Sequence, residues 1–155
     1  MNYVFVFAVG IGMVAGLRSL LAPAVVAWTA HFDLLNLNGS SLAFMGSRMA
    51  VAIFSICALG ELVGDKLPKT PRRTALAPLL ARILLGGLSG ACLLAAAGKS
   101  LLAGALLGGI GGFVGAFAGY EIRRRIVNNL HVKDLFVAIC EDVVAIGLAC
   151  FFVSG

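Results

Sequence analysis

Charged side chains are scarce in this sequence. Only 12% of the 155 residues are Asp, Glu, Lys or Arg, against about 25% in an ordinary soluble domain. Apolar residues make up 61% of the chain, where about 45–50% is usual. This composition excludes an ordinary soluble domain and predicts an integral membrane protein.

Residues that ligate metals or act as catalytic bases are also few. The chain has two histidines, His31 and His131, and neither has a second histidine beside it. Each of the four cysteines lies inside an apolar run, without metal-ligand spacing. No serine has a histidine base within recognisable reach. We therefore expect no metal, no cofactor and no enzymatic activity.

The positive charge is limited to a small excess, with 12 Lys and Arg against 7 Asp and Glu. Because no basic face or aromatic platform accompanies it, we expect no binding of nucleic acid. Most of the excess forms two short clusters beside apolar runs, as in cytoplasmic loops that contact anionic lipid headgroups. The expected headgroup contacts are Lys66, Lys69, Arg72, Arg73, Arg123, Arg124 and Arg125.

The chain does contain several long apolar runs. About 20 mostly apolar residues suffice to cross the hydrocarbon core of a bilayer. We predict one all-α transmembrane domain over residues 1–155, with about five transmembrane helices, or with four plus a broken or re-entrant segment. The predicted spans are Val4–Trp28, Met49–Val63, Leu79–Ala97, Leu101–Tyr120 and Leu135–Val153.

The basic clusters predict the orientation of these spans in a plasma membrane. One cluster follows the second span and the other follows the fourth, whereas the opposite loops hold little positive charge. Cytoplasmic loops carry the excess of Lys and Arg. Five spans then place the N-terminus in the cytoplasm and the C-terminus outside.

Two pairs of spans resemble each other. Gly12 to Arg18 in the first span is similar to Gly115 to Glu121 in the fourth, and each is followed by a span with a Val-Ala-Ile sequence. Because three spans separate the two copies, equivalent helices would run in opposite directions. This pattern predicts an inverted-topology repeat of helices 1–2 and 4–5. The alternative is chance similarity among segments rich in Gly, Ala and Val.

Glycines recur at spacings of three and four in the fourth span, which places them along one stripe of a helix. Such a stripe permits close approach of a neighbouring backbone. The third span has a similar pair, Gly86 and Gly90, and the second has Gly60 and Gly64. The predicted packing glycines of the fourth span are Gly104, Gly108, Gly112, Gly115 and Gly119.

Two acids near the end of the second span, Glu61 and Asp65, share one helix face because they are four residues apart. Glu61 lies about 18 Å from Met49 at about 1.5 Å per residue. A charge at the bilayer centre costs roughly 2.5–3.5 kcal/mol. We therefore expect Glu61 to face the bundle interior, with a proton, a cation or an arginine as its partner.

Two further acids, Glu141 and Asp142, are adjacent in the fifth span and point about 100° apart, so they cannot both face one partner. This pair suits proton or cation handling. Alternatively, one acid pairs with a basic residue and the other reaches interfacial water.

The arginines of the spans have different expected environments. Arg18 precedes Pro23, where we expect a kink in the first span, and Arg18 there could hold an anionic group or pair with Glu61 or Glu141. Arg82 is expected to reach the membrane interface by snorkelling. The candidate ion, proton or substrate site therefore consists of Arg18, Glu61, Asp65, Glu141 and Asp142.

Several of these segments together resemble a known family. They are Gly16-Leu17-Arg18 leading to Ala22–Val26, the Glu-x-x-x-Asp-Lys-x-Pro sequence that starts at Glu61, and Glu141-Asp142. Over nearly its whole length the chain resembles the small multi-pass membrane proteins called domain of unknown function 4126. The resemblance implies an all-helical membrane domain and supplies no substrate.

The charges inside the spans favour a transporter or channel-like protein that handles protons or cations. We expect a homodimer, because five short spans enclose little interior and a second copy would shelter the charges. The alternative is a non-transporting scaffold or lipid-interacting protein, in which the same residues form structural ion pairs.

Overall fold

The fold consists of helices. The computed structural model describes residues 3–64, 75–130 and 133–155, and within these ranges it contains six α-helices, one short 3₁₀ helix at Ala43–Gly46, and no strand. The helices are α1 (Tyr3–Leu17), α2 (Leu21–His31), α3 (Arg48–Gly64), α4 (Leu76–Ala96), α5 (Leu101–Leu130) and α6 (Asp134–Ser154).

Three of these helices, α4, α5 and α6, are long and apolar enough to cross a membrane, and α1 is a shorter apolar helix. Together with the composition, they indicate a membrane protein. The predicted spans from the second to the fifth agree with α3 to α6 to within a few residues, except that α5 is ten residues longer.

The extension of α5 corrects the placement of Arg123, Arg124 and Arg125, which the sequence assigned to a loop. They lie in the helix, since the segment after Tyr120 has no glycine or proline to end it. Arg125 donates a hydrogen bond to Glu121, one turn earlier, and this contact stabilises the extended part of the helix.

The first predicted span, Val4–Trp28, is divided into α1 and α2 by a break at residues 18–20. The break precedes Pro23, where the kink was expected. Pro23 is the third residue of α2, and proline is tolerated in the first turn because the N–H groups there have no intrahelical partner.

Glycines hold α1, α4 and α5 together. Along α4 and α5, Gly90 lies beside Gly104 and Gly86 beside Gly108, so these helices are antiparallel. A methyl group at Gly12 or Gly108 would collide with a neighbouring backbone, so the three helices approach one another as closely as glycine allows.

The predicted packing glycines have different surroundings. Backbone atoms of α1 or α4 surround Gly104, Gly108, Gly112 and Gly115, whereas the buried Gly119 lines a cleft. An added Cβ at Gly60 of α3 would meet nothing within 4 Å, so the packing expected for this glycine is not found.

The directions of the helices follow from contacts at both ends of α1. Near its start, the ring of Phe7 lies 6.0 Å from that of Phe151 and 5.9 Å from that of Phe152, both in the last turns of α6. Arg18, just after its end, binds Asp142 in the first half of α6. Helix α1 is therefore antiparallel to α6, and its start lies beside the end of α6.

This placement disagrees with the prediction that the two termini lie on opposite faces. The prediction counted Val4–Trp28 as one passage through the bundle. The break turns that segment into two helices. Helix α2 packs against α3, α4 and α6, and its apolar residues share a buried cluster with Cys92, Leu93 and Ala149 from the far halves of α4 and α6. The start of α1 and the end of α6 therefore lie at the same end of the bundle.

The directions also disagree with the inverted repeat as predicted. That hypothesis pairs α1 with α5 and requires them to run in opposite directions. Helix α4 is antiparallel to α5, and it is antiparallel to α1, because Gly16 contacts Arg82 while Ala15 lies beside Gly86. Helices α1 and α5 run in the same direction, because Gly12 lies beside Gly108 and Gly16 lies beside Ala116.

Candidate functional site

The end of α1 leaves backbone carbonyls without helical partners, as every helix end does. Arg82 of α4 provides a hydrogen-bond donor for two of these carbonyls. Its Nη1 donates to the carbonyl of Gly16 at 2.5 Å and to that of Leu17 at 3.0 Å. A cation also suits the partial negative charge of a helix C-terminus. Arg82 is only 4% exposed, so the expectation that it snorkels to the interface is wrong.

The start of α2 has the opposite requirement, because its backbone N–H groups lack acceptors within the helix. Glu61 of α3 accepts hydrogen bonds from N–H groups there. The carboxylate accepts hydrogen bonds from the backbone N–H of Ser19 and that of Leu20, each at 2.8 Å, and from the Ser19 hydroxyl at 2.5 Å. Glu61 also lies 4.0 Å from Arg82 Nη2. One acid and one arginine from other helices thus cap the two sides of the break.

Within the break itself, Arg18 forms an ion pair with Asp142 of α6. Arg18 is fully buried and Asp142 is 8% exposed. The sequence left open which acid pairs with this arginine and named Glu61 and Glu141 as candidates, and the structure pairs it with Asp142, the neighbour of Glu141. The reason is geometric, because Asp142 lies on the face of α6 that packs towards α1, and Glu141 points about 100° away.

Glu141 has a different arginine nearby. Its Oε2 lies 3.7 Å from Nη1 of Arg123 in α5, and the Nε and Nη2 of Arg123 donate to Asp134 at 2.8 and 2.6 Å. The two adjacent acids therefore contact different arginines, Arg18 in the break and Arg123 in α5.

Three of the five predicted site residues, Arg18, Glu61 and Asp142, meet at the break. Glu141 lies beside this group on the α5 side, and Asp65 lies outside the described residues. Among the residues that the structure describes, no three His, Cys, Asp or Glu side chains form a group that could hold a metal ion.

Arg82 is the site residue that the sequence interpretation missed. A signal for it exists, because Arg82, Gly86 and Gly90 are spaced by four and share one face of α4. An arginine in register with packing glycines points into the bundle, whereas a snorkelling arginine lies on a lipid-facing side.

The basic cluster at the end of α5 is compensated by acids. Arg124 and Arg125 both contact Glu121, at 3.8 and 2.8 Å, while Arg123 lies between Asp134 and Glu141. The other predicted headgroup contacts, Lys66, Lys69, Arg72 and Arg73, lie outside the described residues.

Comparison with known proteins identifies the family. The sequence model described as Domain of unknown function (DUF4126) matches residues 5–154. The chain belongs to this family. No curated protein and no solved structure matches the chain. The resemblance noted from the sequence is thereby confirmed, and the DUF4126 membership names no substrate.

Proposed function

We propose that this DUF4126 protein is a small transporter or channel-like protein of the plasma membrane that handles protons or cations through its intramembrane acids. The observation that carries the proposal is the break between α1 and α2, whose two sides are capped by Arg82 and Glu61. Broken helices inside a bundle are the usual substrate and ion sites of secondary transporters. Irregular backbone at membrane depth persists only where protein or a cavity covers it.

The capping by Glu61 provides the coupling step. A charged carboxylate accepts three hydrogen bonds at the start of α2 and attracts Arg82. A proton or a bound cation neutralises that charge and weakens both attractions, because charge-assisted bonds are the stronger ones. The start of α2 is then free to move relative to α3, and the bound ion moves with this change.

The orientation forms part of the proposal. The end of the bundle that carries Arg123, Arg124 and Arg125 is cytoplasmic by the excess of positive charge, since acids contribute little to this rule. Because the start of α1 and the end of α6 lie at the other end, both termini are external. A homodimer shelters the exposed apolar faces, and anionic headgroups contact the basic segments.

A second candidate is a membrane scaffold with static ion pairs. The observation that favours it is that Arg18, Arg82 and Arg123 each lie within 4.0 Å of a carboxylate. In a scaffold these pairs hold the helices in one arrangement, and no charge changes its partner. The two candidates differ in what happens when Glu61 loses its charge.

Ion flux into proteoliposomes tests the proposal. The wild type, Glu61→Gln and the control Glu121→Gln are reconstituted at equal density, and entry of H⁺, Na⁺ and K⁺ is followed with ion-sensitive dyes. We expect flux above that of empty vesicles for the wild type and for Glu121→Gln, and loss of flux for a folded Glu61→Gln variant. Flux that is unchanged in Glu61→Gln contradicts the mechanism. No flux in the wild type, with a large loss of thermal stability in Glu61→Gln, favours the scaffold.

A further inference from the structure

Glu61 fills a position that binds a carboxylate group. Both of its oxygens are used, because Oε1 accepts from the N–H and the hydroxyl of Ser19 while Oε2 accepts from the N–H of Leu20. The two backbone donors lie at the N-terminal end of the 11-residue helix α2, where the partial positive charge of a helix favours an anion. The groups of the break therefore form a receptor for a carboxylate, and its occupant in this structure is a side chain of α3.

A buried arginine adds to the attraction for an anion at this position. Arg82 Nη2 lies 4.0 Å from Glu61 Oε1, and only 4% of Arg82 is exposed. The other charged groups beside the receptor are Arg18 of the break and Asp142 of α6, which form an ion pair. A proton on Glu61 lowers the negative charge next to Arg82 by one unit, and an incoming monovalent anion restores it.

The surface of α3 around Glu61 leaves room for its side chain to change position. Gly60 precedes Glu61, and Gly64 follows it by three residues on the same side of the helix. Among the described residues, a Cβ at either glycine would meet nothing within 4 Å. Larger side chains at these two positions would occupy the space beside Glu61. A rotation of the Glu61 side chain towards either glycine therefore meets no neighbouring helix there.

We propose that the start of α2 is an exchange site, at which a small monocarboxylate such as acetate replaces Glu61 when Glu61 takes up a proton. The protonated side chain gives up its charge-assisted hydrogen bonds, and the ligand accepts those of Ser19 and Leu20. A proton and a monovalent anion that bind together leave the net charge of the break unchanged, and net charge is costly inside a membrane. The inference deepens the proposed function by naming an anion that accompanies the proton, and it rests on that function only for transport.

Removal of the Glu61 carboxyl group tests the receptor. The full chain with Glu61→Ala is purified in detergent, and its unfolding temperature is measured with sodium acetate, with acetamide and with sodium chloride at constant ionic strength. A ligand that binds the native state raises this temperature in a saturable manner. We expect acetate to restore part of the stability that Glu61→Ala loses. Its dissociation constant should be at least about tenfold below that of acetamide, which has the same shape without the charge.

Two further variants locate the binding. Ser19→Ala in the Glu61→Ala background removes the hydroxyl donor and should weaken acetate binding roughly threefold or more, as expected for one hydrogen bond. Glu121→Ala is the matched control, because Glu121 pairs with Arg124 and Arg125 at exposed positions of α5. Acetate should stabilise that control no more than chloride does. Equal effects of acetate and acetamide or of acetate and chloride in Glu61→Ala, or an equal acetate effect in Glu121→Ala, overturn the proposal.

The exchange itself is tested in the wild type, where acetate must displace Glu61. Uptake of one proton strengthens the binding of acetate as the pH falls, by up to about tenfold per pH unit. We expect this dependence between pH 7.5 and 6, where acetate stays ionised, and no such dependence in Glu61→Ala. Binding to the wild type that is independent of pH overturns the exchange. The same dependence in Glu61→Ala assigns the proton to another group, such as Asp142, and also overturns it. If Glu61→Ala does not fold, the wild-type measurement decides.

Failure of this inference and failure of the proposed function are distinguishable, because binding at equilibrium requires no transport. Ion flux that depends on Glu61 in a protein that binds no acetate overturns the exchange site alone. Acetate binding that is linked to the protonation of Glu61, in a protein without ion flux, overturns the transport function alone.

Discussion

The core formed by α1, α4 and α5 and the outer helices α2, α3 and α6 are held by different forces. In the core, backbones touch at glycines such as Gly86, Gly108 and Gly112. The outer helices are attached to the core and to each other by polar side chains, including Glu61 on α3 and Asp142 on α6. The core is thus specified by backbone contacts at glycines, and the outer part combines apolar packing with polar contacts at the break.

This difference indicates which part of the molecule can change its arrangement. Close-packed interiors tolerate few alternative positions, so α1, α4 and α5 should move as one unit. An ion pair or a hydrogen bond changes when a proton or an ion competes for one partner. The outer helices are therefore the part that a ligand can shift, provided that it interacts differently with two arrangements.

The largest expected effect comes from removing one charge of a buried ion pair that attaches an outer helix to the core. Asp142→Asn removes the partner of the buried Arg18, and breaking a buried pair in this way costs about 3–5 kcal/mol. Unfolding in detergent with increasing SDS measures the loss. The double variant Arg18→Met with Asp142→Leu should recover most of it, because both charges of this pair are then absent. Equal stability of Asp142→Asn and the wild type would contradict the pair.

Next in size is a change to the shape of the core. A methyl group in Gly108→Ala would collide with the backbone of Gly86, and overpacking typically costs 1–3 kcal/mol. The control is Gly147→Ala in α6, where the added methyl group meets nothing within 4 Å. Since alanine is favoured over glycine in a helix by about 1 kcal/mol, the control should gain stability. Thermal unfolding of both variants checks the contrast, and similar losses would show that α6 is packed as closely as the core.

A smaller effect is expected at the cap of α2. Ser19→Ala removes the hydroxyl that donates to Glu61 but keeps both backbone N–H donors. The loss should be about 1 kcal/mol, and it should vanish in a Glu61→Gln background if the hydroxyl acts through the charged carboxylate. A double-mutant cycle measured by thermal unfolding checks this coupling. Additive effects would mean that the hydroxyl does not stabilise Glu61.

The smallest expected effect concerns the contact between α2 and α3 away from the break. Ser55→Ala removes the acceptor of the Trp28 indole N–H, which lies at 2.9 Å. Hydrogen bonds between membrane helices average about 0.6 kcal/mol, so the stability should fall by about that amount. Ion flux should stay at the wild-type level, because the contact does not touch the break. A loss of flux comparable to that of Glu61→Gln would show that the whole of α2 takes part.

The parts of the fold that depend on local pattern could be predicted from the sequence. Helices α3, α4 and α6 agree with apolar runs to within a few residues, because such runs set both the length and the ends of a helix in a membrane. Glycines at spacings of three and four in α5 lie at close contacts, as the stripe of Gly104, Gly108 and Gly112 indicated.

The break and its partners could not be predicted in the same way. Arg18 and Ser19 interrupt the apolar run between Val4 and Trp28, and with Pro23 they predicted a kink, but this pattern does not show that the segment forms two separate helices. The ends created by the break are stabilised by Arg82 and Glu61, which lie on other helices. The pairing of Arg18 with Asp142 depends on how α6 is rotated, which only the packed bundle determines.

The pairing of Arg18 with Asp142 also has a consequence for synthesis. Arg18 leaves the ribosome with the first helices, and its counter-charge arrives with the last one. At roughly 5–20 residues per second, the interval is on the order of ten seconds. During this time Arg18 cannot form the ion pair with Asp142 that offsets the free-energy cost of burying its charge. We therefore expect the bundle to close only when α6 has been inserted.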